Sequence, residues 1–348
     1  GCGNTVNTCN FRAQNLVLDS LRYWHGELGV DGFRFDLATV LGRTMEGFYK
    51  PHSLLNRIAV DPGMWAAKLI AEPWDPGPGG YQLGRFPIEW AEWNDRFRDS
   101  VRRFWRGDDN QDSEFAQRIH GSADLFERSG RNPSASINFI SAHDGFTVQD
   151  VVSYEQRHNH ANGEDNRDGH GHNFSRNYGV EGPTDDEDIN RIRRRQRLNM
   201  LATVFFSQGT PMLLAGDEFG HTQRGNNNAY AQDNEIGWLD WSLLDDEIRF
   251  FDLAREVILL RRENPLLRLP QYVHGTLHGD DGDVTIDWIN QKGDAKHSSE
   301  WADSRAFTKV IARTAADGST SAVAILLNAH DHAAHMRLSR SAGSQAWQ

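Results

Sequence analysis

The chain has 348 residues, 11 tryptophans, two cysteines and a formal net charge of −12. This length can form one large domain and a smaller one, and the acidity argues against a nucleic-acid partner and favours a neutral or cationic one. No run of about 20 apolar residues is present to span a membrane, and the two cysteines, Cys2 and Cys9, are too few for the disulfide framework of a small secreted protein.

The first predicted strand, residues 30–36, follows a predicted amphipathic helix over residues 14–28 and ends in opposite charges. Successive side chains of a strand point to opposite faces, so Arg34 and Asp36 share one face. A guanidinium next to a carboxylate lowers the pKa of the carboxyl group and keeps it ionised, which is what a carboxylate nucleophile requires. Taken alone, this pattern fits a purely structural ion pair equally well.

Three later apolar runs also end in acidic side chains, at residues 68–72, 137–144 and 210–218. In the first of them, Glu72 stands two residues before Trp74. An apolar wall disfavours the charged form of a carboxyl group and raises its pKa, so Glu72 is a candidate proton donor. The second run ends in His143 and Asp144, an imidazole and another carboxylate.

Helical stretches separate these runs, as in an α/β protein with parallel strands. Asp36 and Glu72 lie 36 residues apart, which suits one strand, one helix and their loops. The interval from Glu72 to Asp144 is twice as long, which leaves room for one more strand and helix between them. We place this strand over residues 89–93 and this helix over residues 95–106. Carboxylates at the ends of successive parallel strands predict a (β/α)8 TIM barrel with its chemistry at the C-terminal face.

The remaining predicted elements divide the chain into two domains. Residues 186–208 and 250–262 have the pattern of helices, and beyond residue 270 the sequence changes to short β-like runs. These runs lie at residues 284–288, 307–312 and 322–328. We therefore predict part of a barrel over residues 1–268 and an incomplete C-terminal β-sandwich domain over residues 269–348.

Many of these segments resemble the α-amylase superfamily. Residues 32–36, 71–74 and 141–146 are similar to three of its four signature regions. Longer motifs resemble its isoamylase and bacterial glycogen debranching branch, and they lie at residues 1–5, 161–169, 225–230 and 238–241. The superfamily's first signature region, an Asp-x-x-x-Asn-His segment at the third strand, has no match in the sequence. The resemblance therefore implies barrel strands four to eight, followed by part of a C-terminal domain.

The resemblance also implies a role for each residue of the candidate site. Asp36 would be the nucleophile that forms a covalent β-glucosyl-enzyme, Glu72 the general acid and base, and Asp144 the carboxylate that stabilises the oxocarbenium-like transition state. Arg34 would orient and ionise Asp36, and His143 would hydrogen-bond sugar hydroxyls where cleavage occurs. A retaining mechanism places the nucleophile and the acid about 5–5.5 Å apart.

A long loop over residues 157–183 is expected to set specificity, because long loops in compact domains are usually functional or disordered. With residues 225–230 it would shape the site around an α-1,6 branch point. Trp74 is a candidate platform for a sugar face. The candidate sugar-binding residues of the loop are Asn162, Glu164, Asn166 and Asp168.

The same loop contains histidines that could suggest a transition-metal site. They lack the cysteine or HExxH frame of such sites, so we predict a polar substrate-lining loop with no metal and no cofactor. Some members of the superfamily bind calcium, but no ligand loop in this sequence supports a calcium site. The histidines are His158, His160, His170 and His172.

We therefore predict a cytoplasmic glycoside hydrolase that cleaves α-1,6 branch linkages of glycogen or limit dextrin by retaining double displacement. Its partner would be a branched α-glucan, with no nucleic acid and no membrane involved. An α-1,4-acting or transglycosylating member of the superfamily is an alternative, because these enzymes share the chemistry at the anomeric carbon. An inactive glucan-binding fragment is another. A serine hydrolase is disfavoured, since Ser141, His143 and Asp144 are sequence neighbours and a catalytic triad assembles across a fold.

Overall fold

The computed structural model describes residues 4–44, 47–49, 51–302 and 304–338. The first three residues of the motif at 1–5 and the end of the predicted β-domain, residues 339–348, lie outside these ranges. The chain forms two compact units, one made of Gly1–Asn94 with Ser122–Ile137 and the other of Asp95–Gly121 with Asn138–Gln348. The domain boundary between residues 268 and 269 stays a prediction.

Helices occur in both units, and α4 has the bounds predicted from the sequence while the other predicted helices differ by a few residues at their ends. None of the helices in the described ranges is long and apolar enough to cross a bilayer. In chain order they are α1 (Phe11–Gly26), α2 (Thr39–Gly42), α3 (Leu54–Ala59), α4 (Asp95–Arg106), α5 (Asp112–Ile119), α6 (Ala123–Phe126), α7 (Val148–Val151), α8 (Glu187–Phe206), α9 (Leu243–Asp246) and α10 (Ile248–Glu263).

The strands form a parallel sheet in the first part of the chain and an antiparallel sheet near its end. In chain order they are β1 (Gly32–Phe35), β2 (Arg43–Thr44), β3 (Gly47–Phe48), β4 (Lys68–Ala71), β5 (Trp90–Trp93), β6 (Ser136–Asn138), β7 (Thr210–Pro211), β8 (Thr276–Leu277), β9 (Asp283–Ile289), β10 (Ala306–Thr314) and β11 (Thr320–Asn328).

Parallel pairing in the first unit follows the order β1, β4, β5, β6. Phe35 lies opposite Ala71, which in turn lies opposite Glu92 on β5. Sequential parallel neighbours joined by helical segments are the repeat of a βα barrel, so this order agrees with the predicted partial barrel. The carboxyl ends of the paired strands lie at one edge of the sheet, where the predicted acidic residues follow.

The core of the first unit forms between the sheet and the helices that flank it. Leu18 and Leu21 of α1 are buried, and so are Leu55 of α3, Leu69 of β4 and Trp90 of β5. Other apolar side chains of this predicted amphipathic helix are exposed: Leu16, Tyr23 and Trp24. The buried stripe of α1 is therefore narrower than its sequence suggests.

Strand β7 belongs to the second unit. The N–H of Met212 donates to the carbonyl of Asn138 at 2.8 Å, which sets β7 beside the end of β6. The predicted run at residues 210–218 is a strand only at Thr210–Pro211, and it turns at Gly216, whose φ is 97°. A positive φ suits glycine because it has no Cβ.

The antiparallel sheet has the strand order β11, β10, β9, β8, which agrees with the predicted β-like runs. Ile311 of β10 lies opposite Val323 of β11 and Ile286 of β9. Phe307, also on β10, is fully buried, and its ring meets those of Phe104 and Phe115 within the same unit. The core of the second unit therefore includes one face of this sheet.

An ion pair is buried in the first unit beneath β5. Arg131 Nη1 contacts Oε1 of Glu92, and neither side chain is more than 1% exposed. The Glu92 carboxylate also accepts from the N–H of Gly84 at 2.7 Å. Removing one partner of a buried pair leaves an uncompensated charge, which is strongly destabilising.

Arg131→Met is therefore expected to lower the free energy of unfolding by about 3–5 kcal/mol. The control Arg191→Met removes an exposed ion pair with Asp188, 2.7 Å long, and should cost less than about 1 kcal/mol. Denaturant unfolding measures both values. Equal losses in the two variants would contradict the importance of the buried pair.

Candidate active site

Two carboxyl groups meet at the carboxyl ends of β1 and β4. Phe35 pairs with Ala71, so the residues that follow them, Asp36 and Glu72, leave the sheet side by side. The N–H of Glu72 donates to the carbonyl of Phe35 at 3.0 Å, and the N–H of Leu37 donates to Oε2 of Glu72 at 2.7 Å. The parallel register of the two strands thus determines which carboxyl groups become neighbours.

Arg34 lies between these two carboxyl groups. Its Nη1 is 2.7 Å from Oδ1 of Asp36, and its Nη2 is 3.0 Å from Oε2 of Glu72, in an ion pair without the alignment of a hydrogen bond. The guanidinium carbon also lies 4.3 Å from the ring centroid of Trp93, at the end of β5. Sequence reasoning missed Trp93, although its place at the end of the strand next to β4 is the signal that could have found it.

The two carboxyl groups differ most in their exposure. The Asp36 side chain is 70% exposed and that of Glu72 is 6% exposed. Burial raises the pKa of Glu72 above its ordinary value. The hydrogen bond from the Leu37 N–H and the charge of Arg34 lower this pKa but do not cancel the rise. The Asp36 carboxyl group adds to the rise, by its charge and by a hydrogen bond to Glu72. Trp74, the predicted apolar wall, is half-buried. Glu72 is therefore suited to hold a proton.

His143 and Asp144 lie in the second unit, on the loop after β6. Nε2 of His143 is 3.5 Å from Oδ2 of Asp144, and 52% and 48% of their side chains are exposed. Burial, Arg98 and Arg102 lower the pKa of His170 below its ordinary value. The charge of Asp144 partly opposes this shift. The two predicted site residues are thus adjacent and accessible.

Most of the loop residues that were predicted to bind sugar make hydrogen bonds within the protein. Nδ2 of Asn162 donates to Oδ2 of Asp168 at 2.7 Å, and Oδ1 of Asn162 accepts from Asn226 at 2.8 Å. Oδ1 of Asn166 accepts from the backbone N–H of Asn159 at 2.7 Å. These amide and carboxylate groups therefore hold the loop in shape, and their contact with sugar stays a prediction.

Asn159 and Asn227 form the buried centre of this hydrogen-bond network. Nδ2 of Asn159 donates to Oδ1 of Asn227 at 2.8 Å, and the N–H of Asn227 donates to Oδ1 of Asn159 at 2.9 Å. The pair joins the loop at 157–183 to the segment at 225–230. Glu164, the fourth predicted sugar-binding residue, is exposed.

Two of the loop histidines have separate side-chain partners. Nε2 of His158 lies 2.9 Å from Oε1 of Glu181, and the ring of His172 lies nearly parallel to that of Phe174. Within the ranges that the structure describes, no group of three or more His, Cys, Asp or Glu side chains could hold a metal ion.

Solved structures similar to this chain include pullulanases. The enzyme from Bacillus acidopullulyticus matches with a TM-score of 0.61 and 25% identity, over 90% of this chain and 35% of the pullulanase. The pullulanase from Anoxybacillus sp. LM18-11 complexed with maltotetraose matches with a TM-score of 0.59 and 22% identity, over 94% of this chain and 46% of that one. The fold is that of the α-amylase superfamily. No protein-family model matches the chain.

Sequence relatives narrow the class. The glycogen operon protein GlgX homolog of Mycobacterium tuberculosis (strain ATCC 25618 / H37Rv) is 45% identical over 360 aligned residues, which cover 100% of this chain and 50% of the relative. The glycogen debranching enzyme of Serratia proteamaculans (strain 568) is 50% identical over 86% of this chain and 44% of the enzyme. The chain spans about half the length of these relatives. These similarities confirm the predicted resemblance to the isoamylase and bacterial glycogen debranching branch of the α-amylase superfamily.

Asp36 and Arg34 shift the pKa of Glu72 in opposite directions, so substitutions at these two residues should change this pKa in opposite directions. Asp36→Asn removes a group that raises this pKa and should lower it, whereas Arg34→Met removes a group that lowers it and should raise it. Carboxyl ¹³C NMR titration of Glu72 measures both shifts. Shifts in the same direction would contradict this account of the site.

The loop network predicts a contrast in stability. Asn159→Ala leaves buried partners on Asn227 unsatisfied and should cost about 1–3 kcal/mol, whereas Glu164→Ala removes an exposed side chain and should stay within about 0.5 kcal/mol. Denaturant unfolding, with the rate of proteolysis in the loop as a second measurement, tests the contrast. A larger effect from Glu164→Ala would show that the network does not hold the loop.

Proposed function

We propose that this chain carries the catalytic residues of an enzyme that hydrolyses α-1,6 branch linkages of glycogen or limit dextrin in the cytoplasm. The observation that carries the proposal is the Arg34 guanidinium between an exposed carboxyl group, Asp36, and a buried one, Glu72. The names of the relatives, glycogen debranching enzyme and pullulanase, support the same class of reaction. The maltotetraose complex of one pullulanase supports an α-glucan as substrate.

In the first step, the Asp36 carboxylate attacks the anomeric carbon of the branch sugar. Glu72 donates its proton to the departing glycosidic oxygen, the C–O bond breaks, and a glycosyl ester with Asp36 forms. Arg34, 2.7 Å from Oδ1 of Asp36, holds the nucleophile in a charge-assisted contact and fixes its direction. The burial that raises the pKa of Glu72 favours the protonated form that the first step requires.

In the second step, Glu72 acts as a base. Its carboxylate removes a proton from water, the water oxygen attacks the anomeric carbon, and the bond to Asp36 breaks, so the released sugar retains its configuration. The Leu37 N–H at 2.7 Å and Arg34 at 3.0 Å stabilise Glu72 while it is ionised between the two steps. Both protonation states of Glu72 therefore find a favourable environment.

His143 and Asp144 complete the proposed chemistry. Asp144 would stabilise positive charge as it develops on the sugar ring, and His143 would hydrogen-bond a sugar hydroxyl. The support for these roles is their exposure and their adjacency, with 3.5 Å between Nε2 of His143 and Oδ2 of Asp144. Catalysis by charge stabilisation requires groups fixed before the reaction begins.

Release of reducing ends from glycogen phosphorylase limit dextrin tests the proposal. The proteins are the 348-residue chain and a hybrid in which it replaces the matching span of the Mycobacterium tuberculosis relative. Asp36→Asn and Glu72→Gln should each lower the rate by several orders of magnitude. The control Asp61→Asn, which alters another aspartate paired with an arginine (Arg22), should leave the folded protein active.

The products distinguish the alternatives. Linear maltooligosaccharides released from limit dextrin, and lost in Asp36→Asn, would support debranching. Cleavage of linear amylose without attack on branches would indicate an α-1,4-acting enzyme instead. Binding of glucan by chain and hybrid without any release would identify an inactive glucan-binding chain and contradict the proposal.

A further inference from the structure

The segment that carries His143 and Asp144 has no regular secondary structure of its own. Strand β6 ends at Asn138 and helix α7 begins at Val148, so residues 139–147 lie between them. Neither a strand ladder nor a helix fixes the direction of the two side chains. Their position must come from other contacts. Within the second unit, these are hydrogen bonds with buried polar side chains.

The first of these contacts is the carboxyl group of Asp217, which is 1% exposed. It accepts a hydrogen bond from the Oγ of Ser141 and another from the N–H of Val148 at 2.9 Å. Ser141 stands two residues before His143. A single buried carboxyl group therefore fixes both the beginning of the segment and the start of α7.

The second contact is the guanidinium of Arg102, on α4, which is 4% exposed. Its Nε and Nη2 donate to the carbonyl of Ile140 at 3.0 and 2.6 Å. Nη2 also donates to the carbonyl of Phe146 at 3.2 Å. Because these carbonyls lie on either side of His143 and Asp144, one side chain ties both ends of the segment together.

A third contact holds the segment at Gly145, directly after Asp144. The N–H of Gly145 donates to the carbonyl of Asn227 at 3.0 Å, and its carbonyl accepts from Nε2 of Gln223 at 3.1 Å. The backbone around the two reactive side chains is thus held from three directions, while the side chains themselves are about half exposed.

We propose that Asp217 and Arg102 are positioning residues that fix the orientation of His143 and Asp144 through Ser141 and the carbonyls of Ile140 and Phe146. The proposal rests on the proposed function for its effect on catalysis, but not for its effect on the segment. Both side chains are buried, at 1% and 4% exposed, so they act through the segment. A misplacement of about 1 Å at a reacting group can cost about 100-fold in rate.

The charges around Asp217 make this support depend on pH. Burial raises the pKa of Asp217 to about 7, and the neighbouring Glu218 raises it as well, while the hydrogen bonds from Ser141 and Val148 and the charge of Arg102 lower it. Arg197 of α8 also faces this carboxyl group. The carboxyl group therefore titrates near neutral pH, and as the pH falls below 7 it loses the charge to which Ser141 donates.

A matched pair of serine variants tests the proposal. Ser141→Ala removes the hydroxyl that binds Asp217. Ser304→Ala removes a hydroxyl that binds Asp112, a carboxyl group in the same unit that is 1% exposed. Asp112 accepts from Oγ of Ser304 at 2.5 Å and from the N–H of Ser304 at 2.9 Å. The two variants lose the same kind of hydrogen bond, and only the first contacts the segment.

Hydrogen exchange of the 348-residue chain is the first measurement. Ser141→Ala should accelerate exchange in peptides covering residues 139–148 about tenfold, and Ser304→Ala should leave it unchanged. Asp217→Asn should also remove the pH dependence of this exchange between pH 6 and 8, after correction for intrinsic rates. Equal exchange at 139–148 in both serine variants would overturn the proposal.

The second measurement is kinetic, on the chain or the hybrid, whichever releases reducing ends. Ser141→Ala should lower kcat about tenfold at matched folded concentration, with KM changed less than kcat, whereas Ser304→Ala should retain both. An altered exchange pattern with kcat equal to that of the parent would overturn the positioning role. Absence of activity in the parent itself would contradict the proposed function, and the exchange measurement would still decide whether Asp217 holds the segment.

Discussion

The guanidinium of Arg34 is the contact on which the proposed chemistry depends, since it serves a nucleophile and an acid at once. Its nitrogens lie 2.7 Å from Asp36 and 3.0 Å from Glu72, and its charge opposes the rise in the pKa of Glu72. The pKa of Glu72 is nevertheless raised, because burial outweighs the nearby positive charge. Burial, rather than the identity of the charged partner, therefore makes Glu72 the carboxyl group suited to hold a proton, and its burial follows from where the residue leaves the sheet.

The parts of this arrangement that could be predicted from the sequence are local. The alternation of the first strand places Arg34 and Asp36 two residues apart on one face, and the helix predicted over residues 95–106 has the observed bounds of α4. The start of α8 was also predictable, because Asp186 lies before it and accepts from two N–H groups of its first turn. Each of these features is set by residues within one or two turns of each other.

The parts that could not be predicted join residues far apart in the chain. Asn159 and Asn227 are 68 residues apart, and Ser141 and Asp217 are 76 apart. A sequence that is rich in asparagine shows the capacity for hydrogen bonds but not their partners, so the hydrogen bonds of Asn162 with Asn226 and of Asn166 with Asn159 could not be read from it. The long apolar run at residues 210–218 misled in another way, because its strand ends at Pro211 and the rest turns to bring Asp217 into the interior.

The interior of the second unit shows why polar residues are buried beneath the segment that carries His143 and Asp144. Apolar packing by Phe146 and Val148 holds the segment against the core, but hydrophobic contacts have no direction and permit small rotations. Hydrogen bonds to fixed donors and acceptors restrict such rotations, at the cost of removing polar groups from water. That cost is acceptable only where nearly every group finds a partner. Arg102 meets the condition by donating to the carbonyls of Ile140, Phe146 and Asn173, so its burial contributes orientation to a loop that has no ladder of its own.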